Sequence, residues 1–97
     1  MTSVPQEFPE TAVPGRRTPT FTAETMPAGL SRAHVTKVWA ELVVLAGSVL
    51  FVDESSRRRI DAAPGDRVLI VPGAYHHVEP SEDAEFFVQF YDHGGHS

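Results

Sequence analysis

Apolar residues in this chain come in short runs broken by turn-forming residues, and where a period is visible it is two. The clearest case is Ala84 to Tyr91, where Phe86, Val88 and Phe90 share one face and Glu85 and Gln89 the other. Such alternation predicts a half-buried antiparallel strand. Lys37 to Leu45 is the longest predicted strand, and Ala46-Gly47 is its turn into Ser48 to Val52. Asp53 to Ser56 is a polar turn, and Arg57 to Ala62 is expected at a sheet edge, where charge guards against aggregation. Pro64-Gly65-Asp66 predicts a turn because proline fixes one dihedral and glycine permits the next. Arg67 to Val71 and Tyr75 to Glu79 add two strands, and Thr20 to Thr25 a short first one. No window carries sustained helical periodicity. Many short strands with Gly/Pro turns predict an all-β fold, a sandwich or a small barrel.

The first 19 residues read differently. Pro5, Pro9, Pro14 and Pro19 deny them a helix and favour an extended arm, with Val4, Phe8 and Val13 available to tack it onto the domain. The expected organisation is an arm over 1–19, one β domain over 20–92 and a polar tail over 93–97. A chain of 97 residues with 41% hydrophobic content supports one modest core. So small a core makes oligomerisation, as a homodimer, the expectation.

Composition narrows the chemistry. With no cysteine, disulfides and thiolate metal sites are excluded, and any metal is held by imidazole and carboxylate. A net charge of -5 argues against nucleic acid or an anionic membrane as partner. Arg57-Arg58-Arg59, the one basic run, reads as a solvated face. No apolar stretch approaches the ~20 residues of a membrane-spanning helix. The start shows no signal-peptide pattern, and a cytoplasmic protein is expected.

Candidate chemistry centres on Pro72 to Glu79, with adjacent histidines at the mouth of a predicted strand. Successive side chains alternate faces, so His76 goes with Val78 and His77 with Glu79. His34 has the parity of Val38, Ala40, Leu42 and Val44, whereas Trp39, Glu41, Val43 and Leu45 take the other face. An unbroken strand would aim His34 inward; a bulge before Lys37 would cancel that. Inward histidines on neighbouring strands, ~4.8 Å apart, can share an ion. The alternative, that a buried histidine is a hydrogen-bonded core residue, stays open. His93 and His96, in the glycine-containing tail, are given no role.

Val44 to Gly47, then Gly65-Asp66 ahead of Val71-Pro72 and a histidine, resembles the two-motif skeleton of the cupins. Ala28-Gly29-Leu30, His34 to Lys37, Trp39 to Gly47, Pro72…His76-His77-Val78-Glu79 and Glu85 to Tyr91 together resemble the TehB/YeaR-like domain family. Its members occur free-standing and as the N-terminal part of some TehB tellurite-resistance methyltransferases. The resemblance covers about Thr20 to Asp92 and implies a cupin-like double-stranded β-helix. It matches His34, Lys37, His76 and Glu79 to family positions, with Tyr75 where tryptophan is common. The usual cupin glutamate falls near Ala40 rather than Glu41. No glycine-rich strand-to-helix turn and no room for a methyltransferase domain are present, so tellurite methylation is not expected of this chain.

The leading expectation is a binding module for a divalent metal (Zn, Fe, Ni or Mn) or a small ligand, in a stress or tellurite-resistance setting, with no nucleotide cofactor. His34 and His76 are the candidate metal ligands, and Lys37, Glu41, His77 and Glu79 are candidate pocket residues. A second expectation is a metal-dependent oxygenase or isomerase, which needs a carboxylate beside two histidines. A third is an oligomerisation module whose apolar stripe, Trp39, Val43 and Leu45, is covered by the arm or by another subunit.

Overall fold

The computed structural model describes residues 12–33 and 35–93. His34, His96 and most of the N-terminal arm, including Val4 and Phe8, lie outside the described residues. The described strands are β1 (Ala12–Arg17), β2 (Phe21–Thr22), β3 (Ala40–Ala46), β4 (Val49–Asp53), β5 (Arg58–Ala62), β6 (Arg67–Ile70), β7 (His76–Pro80) and β8 (Glu85–His93). One 3-10 turn, Ala28–Ser31, interrupts the all-β pattern. Among the described residues no helix is long and apolar enough to cross a membrane.

Two antiparallel sheets form. One runs β1-β8-β3-β6, with β2 also paired to β8; the other runs β5-β4-β7. They face each other as a sandwich and do not close into a barrel, which corrects the barrel alternative. β5 is an edge strand, as its charged sequence predicts. The chain crosses from one sheet to the other after β3, β5, β6 and β7, each time through a tight turn.

Alternation decides what lies between the sheets. Ala40, Leu42 and Val44 of β3, Phe86 and Val88 of β8, and Val68 and Ile70 of β6 face Val49 and Phe51 of β4, Ala62 of β5 and Val78 of β7. Phe86 is fully buried and meets Phe21 edge-on, ring centroids 5.9 Å apart. Burying such a ring stabilises the fold by about 2 kcal/mol.

Turn chemistry sets the register. At Pro64-Gly65-Asp66, Gly65 takes φ +93, and the Asp66 carboxylate accepts the Ala63 N–H at 2.8 Å. At the β4–β5 hairpin, Asp53 Oδ1 accepts the N–H groups of Ser55 and Ser56. Gly47, φ +66, sits so close to the Ala84 backbone and the Asp83 carboxylate that a Cβ there would meet both at 2.7 Å. Ser48 and Ser81 bind these two turns together, Ser81 N–H to Ser48 O at 2.9 Å and Ser48 N–H to Ser81 Oγ at 3.0 Å.

Two strands are shorter than their sequences predict. Lys37 to Leu45 becomes a strand only from Ala40, because the Thr36 hydroxyl donates to Val38 O and the Gly73 N–H donates to Thr36 O, bending the chain at 37–38. Thr20 to Thr25 keeps only Phe21–Thr22. Beyond it Thr25 N–H donates to Thr22 Oγ1, Thr22 N–H to Thr25 Oγ1, and Met26 N–H to Thr22 O, so side chains outcompete the ladder and curl the chain.

Candidate functional site

A cavity of about 140 Å³ lies between the sheets. Its floor is Leu42, Ile70, Phe86, Val88 and Phe90 of the larger sheet, and His76 and Val78 of β7 face them. Thr18 and Phe21 line its β1/β2 side, and Pro27, Leu30 and Thr36, from the strandless segment, cover it. An apolar cavity of about 150 Å³ is large enough for benzene, so this one is of single-ring size.

Among the described residues His76 is the one titratable group in the lining. It opens β7, is 3% exposed, and stacks on Phe51 with ring centroids 5.3 Å apart and planes 25° apart. Its Nδ1 lies 3.0 Å from Ala74 O. A carbonyl only accepts, so Nδ1 carries the proton in that bond. Gly73, at φ +82, turns the chain just before Ala74, whose carbonyl meets the ring edge at Nδ1, and Tyr75 O accepts the Glu54 N–H at 2.8 Å.

His77 faces the opposite way, as alternation predicts. It sits on the outer face of the smaller sheet between two carboxylates, Nδ1 bonded to Glu54 and Nε2 to Glu79 at 2.7 Å. The bond to Glu79 is the main reason its pKa rises above the ordinary imidazole value; burial opposes this and Glu54 adds to it.

Glu41 lies on the outer face of the larger sheet, where Oε1 accepts from Arg67 Nη1 at 3.0 Å and from the Tyr91 hydroxyl at 2.8 Å. Burial, and then the Glu41 carboxylate, push the Tyr91 phenol up from its ordinary pKa. Lys37 is exposed at the bend before β3. Of the sequence-derived candidates within the described residues, His76 alone lines the cavity; Lys37, Glu41, His77 and Glu79 do not. His34 is outside them.

Several participants carry no local signal. Phe51 and Glu54 reach the two histidines across 25 and 23 positions of sequence. The outer stripe is more covered than alternation suggests. Val43 and Phe87, paired across β3 and β8, are both buried, and the Arg17 guanidinium lies 4.5 Å from the centre of the Phe87 ring. Leu45 is 49% exposed.

Two antiparallel sheets around an apolar, single-ring-sized cavity with one buried imidazole in its wall define a small β-sandwich domain. The family model described as the TehB-like domain matches residues 16–88, and the chain belongs to that family. Its fold is similar to that of a protein from E. coli (strain K12) solved by structural genomics, with TM-score 0.83 and 23% identity over 90% of this chain and 96% of the other. It is also similar to TehB from Haemophilus influenzae, with TM-score 0.76 and 26% identity over 84% of this chain. The match spans 32% of that TehB chain. No curated protein sequence matches the chain.

Proposed function

We propose that this TehB-like domain is a binding module that takes a small, largely apolar molecule between its sheets, within a cupin-like architecture and a stress or tellurite-resistance setting. The observation that carries this reading is the cavity itself: about 140 Å³, walled by aliphatic and aromatic side chains, with His76 fixed in orientation by Phe51 and Ala74. The test is a titration of the labelled protein with benzene and toluene, followed by methyl NMR. Shifts confined to Leu42, Val78 and Val88, abolished by Val88→Phe, support it. No response from those methyls to either probe refutes it.

A divalent metal on His34 and His76 is the second reading, and the inward pose of His76 favours it. The described lining does not fit a metal by itself. It supplies one imidazole where a closed site wants three or four donors, and no group of three His, Asp or Glu among the described residues could hold an ion. Elemental analysis of the native protein beside His34→Ala and His76→Ala decides it; metal content unchanged in the double variant rejects it. An oxygenase would further need a carboxylate on the cavity side, whereas Glu41 and Glu79 occupy outer faces.

A further inference from the structure

We infer that the guest is a small monocarboxylate, its single-ring-sized apolar body in the cavity and its carboxylate held at the rim by Arg16. This rests on the small-molecule reading above and names its ligand class.

The polar atoms of the wall are largely committed to the protein's own backbone. The Thr18 hydroxyl accepts the Val88 N–H at 3.0 Å and donates to Pro19 O at 2.9 Å. The Thr36 hydroxyl donates to Val38 O, and His76 Nδ1 to Ala74 O. A charged head group therefore belongs at the rim, where water and a counter-charge are available.

Arg16 supplies that counter-charge. Its guanidinium carbon lies 5.1 Å from the centre of the Phe90 ring, and Phe90 lines the cavity. The next residue, Arg17, covers Phe87 on the other face of the sheet, so the two arginines divide between the faces. Among the described residues no carboxylate forms an ion pair with Arg16, in contrast to Arg67, which is bound to Glu41. The Asp92 carboxylate packs beside Gly15, so close that a Cβ there would meet it at 2.7 Å, yet it does not pair with Arg16.

A guanidinium stacked on a ring keeps its in-plane N–H groups available, and those match a carboxylate in two parallel hydrogen bonds. In a chain of net charge -5 a free anion is repelled, so a local cation over one of the lining rings is what would select for one.

The test compares toluene with benzoate by NMR titration of the intact protein, of Arg16→Gln and of Asp92→Asn. Benzoate should move the Leu42 and Val78 methyls and bind about tenfold more tightly than toluene. Arg16→Gln should remove that advantage and leave toluene binding unchanged, while Asp92→Asn should tighten benzoate. Equal affinities, with benzoate indifferent to Arg16→Gln, overturn the carboxylate inference and leave the cavity reading standing. Benzoate shifts confined to the surface around Arg16 overturn it too. If neither compound reaches the methyls, the cavity reading itself falls.

Discussion

Phe51 and His76 stack face to face across neighbouring strands, with ring centroids 5.3 Å apart. The pair joins the β4 wall of the core to the β7 wall of the cavity, so the pose of the imidazole depends on a residue with no polar atom. His76→Ala should remove the stack, the bond to Ala74 and most of a buried ring. A loss of about 2 to 3 kcal/mol is expected in urea unfolding. His76→Phe keeps the ring and should cost less than half as much.

His77 makes stability depend on pH in a stated direction. Its pKa is raised above 6.5 in the fold, chiefly by Glu79. A group that holds its proton more tightly when folded stabilises the fold below its unfolded pKa and stops doing so as pH rises through the folded value. The urea midpoint should therefore fall as pH is raised from just below 6.5 upward. The carboxylate partners are 39% and 54% exposed, so the change is on the order of 0.5 kcal/mol and shrinks in high salt. His77→Gln should flatten the slope.

Tyr91 reports on Glu41. Removing the carboxylate charge with Glu41→Gln should bring the phenol pKa down toward 10.0 without reaching it, because burial remains the larger cause. Arg67→Gln should move it the other way, since that cation opposes the rise. Ultraviolet difference titration in a Tyr75→Phe background, which leaves Tyr91 as the one tyrosine, measures both.

Gly47 and Gly65 both sit at positive φ but differ in what surrounds them. An alanine Cβ at Gly47 would meet the Ala84 Cα at 2.7 Å, whereas at Gly65 nothing lies within 4 Å. Gly65→Ala should cost about 1 to 2 kcal/mol from backbone strain alone. Gly47→Ala should cost more, because the turn after β7 must move as well; thermal melts of the two variants test the order.

Much of this architecture can be read from the chain, because alternation and turn chemistry are local. Phe86, Val88 and Phe90 announce the inner face of β8, Pro64-Gly65-Asp66 announces its turn, and the opposed directions of His76 and His77 follow from parity alone. What is hidden is long-range. Nothing near Phe51 signals that it will lie under an imidazole, or near Glu54 that it will grip His77. The cavity is walled partly by Pro27, Leu30 and Thr36, from a segment with no period, so its existence has no sequence pattern. Val43 and Phe87 mislead in the opposite sense: they occupy the face that alternation assigns to the outside, and they are buried there.

Among the described residues the two sheets share no ladder of backbone bonds that would fix them at one separation. Their spacing is set by the girth of the side chains between them. A descendant can therefore re-dimension the chamber one residue at a time, leaving every strand in register, which makes the interior the cheapest place in this fold to acquire a new taste.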